Sequence, residues 1–321
     1  MHVYAGAEVG GLCQLGGKTW MTFDAGHLFE APAATGPFTA VSKNYNFFTQ
    51  EGHSAFARLW GELYTGDKDL ALLSHQQIAG PAIYAGLIKE VVLGKDDGVL
   101  RAQWWSNNDV LKAGPLTPST TTTVRAVADD SSGGGSSSSG GGGGFSKSTT
   151  ECVGACVSSG MWLEGTIKAG DAPAGIWVEL NGTALNKTSG GYGFGFMIDS
   201  SGNFSLGELD LALQGGRRRQ TAVDIMRMMA NPPLVIDRAM ADQTKAGTEL
   251  SFKLLIRNAW SNLGMSEFYV NDVLALPFTL PAALTGSYAP TASDGSVKIS
   301  GVYRLSLPEA SSRSSSRGVW S

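Results

Sequence analysis

The stretch from Leu250 to Pro281, LSFKLLIRNAWSNLGMSEFYVNDVLALPFTLP, constrains the fold more than any other. Leu250, Phe252, Leu254 and Ile256 alternate with polar or surface-type residues. That period of two turns one face to a core and the other to solvent. Asn262-Leu263-Gly264 supplies a turn, and Glu267-Phe268-Tyr269-Val270 runs into a second turn signal at Asn271-Asp272. A third strand follows and ends in a proline. The pattern predicts a β-sandwich hairpin. It assigns the C-terminal half of the chain to a sandwich and leaves any activity to the other half.

The rest of the chain repeats the same grammar. In residues 1–116 the candidate strands are Leu12–Leu15, Thr19–Phe23, Ala55–Leu59, Leu70–Ser74, Ala85–Val92 and Leu100–Trp105. Gly16-Gly17, Gly66-Asp67 and Asp96-Asp97-Gly98 are the turn signals between them. In residues 159–308 they are Met161–Ile167, Ile176–Leu180, Gly193–Ile198, Asn203–Leu206, Leu234–Asp237, the hairpin above and Val297–Leu307. Short strands at such regular spacing point to a sandwich or a propeller. Thr221–Met229, stopped by Asn231-Pro232-Pro233, is the best helix candidate. Between the two regions, residues 117–158 run through SSGGGSSSSGGGGG. A tract of this kind buries too little apolar surface to offset its ordering entropy and is expected to be a disordered linker. Residues 309–321 read as a flexible tail.

Composition narrows the function classes. With 321 residues, 42% of them hydrophobic, the chain can build two ordinary cores. A net charge of −4 gives no general attraction to nucleic acid or to an anionic membrane, so neither is expected as a partner. Arg217-Arg218-Arg219, the lone basic cluster, reads as a solvated loop. Cys13, Cys152 and Cys156 are too few for a disulfide scaffold. The four histidines, at 2, 27, 53 and 75, lack metal-ligand spacing, and no cofactor is expected. The N-terminus has neither the basic nor the apolar run of a secretory signal, and no apolar run is long enough to span a bilayer. Asn181, Asn186 and Asn203 head glycosylation sequons, usable only in a secreted protein.

Residues 161–307 resemble the C-terminal β-sandwich of glycoside hydrolase family 32, the invertases and fructan hydrolases. The matching pieces are Gly193-Phe194-Gly195-Phe196 with Asp199, Asp237-Arg238, Leu250–Arg257, the run from Glu267 to Asp272, and Thr285-Gly286. Residues 1–116 then resemble the latter part of that family's five-bladed propeller. The segment from Ala7 to Trp20, AEVGGLCQLGGKTW, is similar to the family segment that opens on its acid/base glutamate. The resemblance implies an all-β fold, a partial five-bladed β-propeller followed by a jelly-roll-like β-sandwich. It implies hydrolysis of O-glycosidic bonds in fructoside-like sugars, with Glu8 as general acid/base. The family has Cys-Pro directly after that glutamate, whereas Val9-Gly10 follow Glu8 here. Glu8 as an ordinary strand-end carboxylate is the competing reading.

Retaining glycoside hydrolysis needs two carboxylates facing each other across the sugar, one as acid and one as nucleophile. The family's nucleophile and stabilising aspartates lie in Trp-x-Asn-Asp-Pro and Arg-Asp-Pro motifs, and this sequence contains neither. Little or no turnover is therefore expected of the chain as it stands, and a non-catalytic carbohydrate-binding protein is the alternative. Arg58, Trp60 and His75 could line a sugar pocket, which calls for an aromatic platform and planar hydrogen-bonding groups. The competing reading packs Trp60 between blades and bonds His75 to a backbone carbonyl. Trp104-Trp105 read as packing between domains.

Overall fold

The computed structural model describes residues 9–23, 27–41, 54–79, 82–95, 97–115, 160–170, 174–180, 192–199, 203–210, 234–235, 248–258, 264–280, 283–292 and 295–306. The expected linker, the tail, the helix candidate Thr221–Met229, Glu8, Cys152 and Cys156 lie outside them.

Two four-stranded antiparallel meanders come first. β1 (Val9–Leu15), β2 (Lys18–Phe23), β3 (His27–Ala31) and β4 (Thr39–Ala40) pair in sequence order. Gly16 and Gly17 turn the first hairpin with φ of 60° and 74°, a backbone that glycine adopts without a Cβ penalty. The second meander runs β5 (Ser54–Trp60), β6 (Ala71–Ala79), β8 (Lys89–Leu93) and β9 (Leu100–Trp104), with β7 (Ala82–Ala85) folded back on β6. A single helical turn, α1 (Glu62–Thr65), caps the β5–β6 connection.

The two meanders stack like propeller blades. Cys13, Trp20 and Leu28 of the first pack on Ala57, Leu59, Ala71, Leu73, Val91, Leu100 and Ala102 of the second. Every one of these second-blade residues lies on one face, because Leu59 opposes Leu73, Ala71 opposes Val91, and Val91 opposes Ala102 in the ladder. The strands that lead the two blades approach so closely that a Cβ on Gly10 would stand 2.1 Å from the Ala57 carbonyl oxygen.

The remaining strands form a sandwich. One sheet holds β10 (Lys112–Pro115), β20 (Ser296–Leu305), β11 (Met161–Lys168), β16 (Glu249–Asn258), β17 (Gly264–Val270) and β18 (Val273–Leu280). The other holds β15 (Leu234–Val235), β14 (Asn203–Asp210), β13 (Tyr192–Ile198), β12 (Ala174–Leu180) and β19 (Leu284–Ala292). Their facing sides share one core in which Phe268 stacks on Phe252 and, across the sandwich, on Phe196 with centroids 5.8 Å apart. The all-β class expected from the sequence, with part of a propeller ahead of a sandwich, is the architecture the chain adopts.

The two parts are also joined edge to edge. Gln103 of β9 pairs with Val273 of β18, and Trp104 N donates to the Asp272 carbonyl at 2.6 Å. The sheet therefore runs on from sandwich to second blade. β10 precedes the tract at 117–158, yet it pairs with β20 at the sandwich edge.

The structure revises the sequence reading in places. Ala85–Val92 is two strands, β7 and β8, because Gly86–Ile88 leaves the ladder to dock on the sandwich. β19 went unread: LTGSYAPTA lacks alternation and carries Pro290, which is tolerated because β19 is an edge strand. The hairpin turn at Asn271-Asp272 is as expected, with φ of 48° and 64°. Replacing Gly10 with alanine is expected to push the first blade off the second and cost roughly 1–3 kcal/mol, as overpacking does. Chemical denaturation measures this, and a variant as stable as the parent would contradict the packing.

Candidate functional site

β17 is buried at all seven positions. Alternation alone would leave one side wet. Phe268 and Val270 enter the sandwich core, whereas Tyr269 points the other way, into a separate cluster with Trp104, Trp162, Leu255 and Leu305. Glu267 shares Tyr269's side of the strand by the same period of two. The second blade covers that side. The face expected to meet solvent is, at this level, an interface between blade and sandwich.

At its centre lie four polar side chains. Lys89 Nζ donates to Glu267 Oε2 at 2.8 Å, to the Leu87 carbonyl at 2.6 Å and to His75 Nδ1 at 3.1 Å. Tyr269 Oη donates to Glu267 Oε2 at 2.6 Å, and Leu87 N to Glu267 Oε1 at 2.8 Å. His75 Nε2 stands 3.7 Å from Glu267 Oε1. Because His75 Nδ1 accepts from the ammonium, its ring hydrogen sits on Nε2, directed to the carboxylate side. The Lys89 side chain is fully buried and that of Glu267 is 5% exposed.

Electrostatics follow from this closure. Burial alone would raise the Glu267 carboxyl, but the charge of Lys89, with His75 and the Tyr269 hydroxyl, holds it down at about 2. Burial, partly offset by Glu267, pushes Lys89 down to about 8. Both groups are thus ionised at neutral pH. Burial and the neighbouring carboxylate push Tyr269 well above its ordinary value and keep it a donor.

Chemically, the cluster is spent. An ammonium has three donors, and all three of Lys89's are engaged. A substrate could reach it only by breaking the joint. The adjoining crevice, about 10 Å³ and so no roomier than one water molecule, is lined by Leu87, Leu255, Arg257, Met265 and Glu267, and Arg257 Nη2 donates to the Ala85 carbonyl at 2.6 Å. Glu267 and Arg257 of the sandwich both bond to residues 85–89, so this short segment attaches the blade alongside the β9–β18 pairing. Gly86 lies flat on the imidazole: a Cβ there would meet His75 Cε1 at 1.6 Å.

An aromatic row extends the joint. Trp104 meets Trp162 at 4.7 Å and Tyr269 at 5.2 Å, both edge to face, the packing role expected of Trp104. Lys112 Nζ lies 4.5 Å from the Trp162 ring centre and 2.9 Å from Glu164 Oε2.

The expected site residues separate. Arg58 and Trp60 share one face of β5, and Ser74, opposite Arg58, shares it too; Trp60 Nε1 donates to Ser74 Oγ at 2.7 Å. His75 opposes Ala57 and so lies on the other face, the one that stacks on the first blade and reaches Glu267. The structure brings Arg58 and Trp60 together and carries His75 away from them, into the joint. It bonds Lys89 there. Glu8 lies outside the described residues; its neighbour Val9 opens β1 opposite Phe23. Cys13 is a buried free thiol pushed up to about 12 by burial, which leaves it inert as a nucleophile. Among the described residues, no group of three or more His, Cys, Asp and Glu side chains could hold a metal ion. Sequence reading missed Lys89, Glu267 and Tyr269 as a unit. The available signal was a glutamate inside an apolar strand, which a solvent-facing strand would not need to pair.

Glu267→Gln or Lys89→Met is expected to cost about 3–5 kcal/mol, since each leaves a buried charge uncompensated. Because the folded value of Glu267, about 2, lies below its ordinary 4.5, its contribution is present above pH 4.5 and fades as pH falls toward 2. Thermal melts across that window should show the parent losing stability faster than Glu267→Gln. Parallel curves would contradict the assignment.

No protein-family model matches the chain, and no curated protein matches it by sequence. Among solved structures it is similar to fructan 1-exohydrolase IIa from Cichorium intybus, at 8% identity and a TM-score of 0.44, over 90% of this chain and 56% of that one. The chain thus spans little more than half the length of that enzyme. A second likeness is to the alginate lyase Aly36B, solved with an alginate tetrasaccharide, at 8% identity and a TM-score of 0.26, over 47% of this chain and 72% of that one. Likenesses this distant carry no function over.

Proposed function

We propose that the chain is a carbohydrate-active protein of the glycoside hydrolase family 32 type, acting on fructoside-like sugars, with Glu8 as the general acid/base. One observation carries the reading. The run from Glu267 to Asp272, one of the pieces on which the sequence resemblance rests, is the strand and turn that fasten blade to sandwich. A motif that holds the two parts at a fixed angle is what a sugar site built on the propeller part requires, because positioning within fractions of an ångström governs rate.

The mechanism needs a second carboxylate opposite Glu8. This sequence supplies no aspartate in the expected motifs, so the chain alone is proposed to bind sugar with little or no turnover. Its division into a propeller part, a linker, a sandwich and a tail belongs to the same proposal. Arg58 and Trp60, together on the blade face away from the first blade, favour the second reading, carbohydrate binding without hydrolysis.

Incubation with sucrose and 1-kestose, read as released reducing sugar, separates the two. In any preparation that hydrolyses either sugar, Glu8→Gln is expected to lower kcat by about 10²–10⁴, the usual contribution of a positioned proton donor. Undiminished turnover in Glu8→Gln would contradict the role given to Glu8. Saturable binding of 1-kestose with no hydrolysis would establish the second reading.

A further inference from the structure

The two faces of the second blade differ in kind. The face stacked on the first blade carries Ala57, Leu59, Ala71, Leu73, Val91 and Ala102, an apolar surface suited to another sheet. On the opposite face, register sets Trp60 against Leu72, Leu72 against Glu90 and Glu90 against Gln103, with Arg58 and Ser74 one pair along. This is a row across four strands. At neighbour spacings of about 4.8 Å it runs roughly 14 Å, the length of a short oligosaccharide.

The aromatic end of the row is shaped. Trp60 and Tyr64 meet edge to face, centroids 4.8 Å apart and planes at 87°. The bond from Trp60 Nε1 to Ser74 Oγ fixes the indole across the strands. Tyr64, on α1, is 67% exposed, and Leu63 beside it is 88% exposed. The charges on the face nearly cancel. Arg58 and Glu90 are of opposite sign, and Arg101 Nη1 pairs with Asp97 Oδ1 at 3.1 Å.

From this we infer that the outer face of the second blade, from Tyr64 and Trp60 through Arg58 and Ser74 to Glu90 and Gln103, binds a neutral oligosaccharide. An aromatic ring offers its face to the C–H side of a sugar ring. Arg, Glu and Gln side chains offer planar donors and acceptors that match vicinal hydroxyls. Charge balance disfavours a polyanion, and the polar groups disfavour a further apolar sheet. The inference deepens the sugar-binding reading above and rests on it; what it adds is Tyr64, Glu90, Gln103 and the extended, neutral character of the ligand.

The test titrates the whole chain with 1-kestose, cellotriose and tri-galacturonate by isothermal calorimetry. Saturable binding of a neutral trisaccharide, and none of tri-galacturonate, is expected. Tyr64→Ala should weaken that binding at least tenfold while lowering Tm by only a few degrees, because the ring lies outside every core and loses only its edge-to-face contact with Trp60. Glu90→Gln should weaken it less than Tyr64→Ala does. Neutral-sugar binding untouched by both substitutions overturns this site and leaves the broader reading standing. Binding of none of the three sugars overturns both. Concentration-dependent dimerisation abolished by Tyr64→Ala would make the face a contact between copies and also overturn it.

Discussion

The structure depends on one buried ion pair. Lys89 and Glu267 belong to different parts of the fold and are 178 residues apart in sequence, yet Lys89 is fully buried and Glu267 nearly so. Isolated, each would pay a desolvation penalty of several kcal/mol. Together, and completed by His75, Tyr269 and the backbone of Leu87, they are satisfied only when blade and sandwich are docked. An apolar contact could slide, since burial is non-directional. The directed bonds that cross the joint here, from Leu87 N and Lys89 to Glu267 and from Arg257 to the Ala85 carbonyl, cannot. The pair thus fixes the register of the docking more than it adds net stability.

Around this point the joint is redundant. The aromatic row of Tyr269, Trp104 and Trp162 supplies the apolar area, and the β9–β18 pairing continues the sheet across the boundary. The same strand, β17, faces two ways. Phe268 and Val270 build the sandwich, while Glu267 and Tyr269 build the joint. A change in β17 therefore registers in both cores, and the two parts should behave as one cooperative unit.

Much of the fold was legible because its information is local. Leu250, Phe252, Leu254 and Ile256 state a half-buried strand, and Gly16-Gly17 and Asn271-Asp272 state their turns. What escaped depended on partners distant in sequence. Nothing near Gly86-Leu87-Ile88 tells that the chain leaves its ladder there, since the reason is Glu267. β19 escaped because an edge strand tolerates Pro290 and needs no strict alternation. For the candidate site, Arg58 and Trp60 were readable as a pair from their spacing of two. His75 was not separable from them, because the face of a strand is set by its cross-strand register, here Ala57 opposite His75. Tyr64 was hidden by the single helical turn that tucks it against Trp60.

The most direct measurement is a double-mutant cycle on Lys89 and Glu267, with Lys89→Met, Glu267→Met and the double substitution compared by chemical denaturation. If the pair fixes the docking, each single variant is strongly destabilised and the double variant recovers most of the loss, a coupling of about 2 kcal/mol or more. Single losses that simply add in the double variant would mean that the two charges do not act on each other, and the account of the joint would fail.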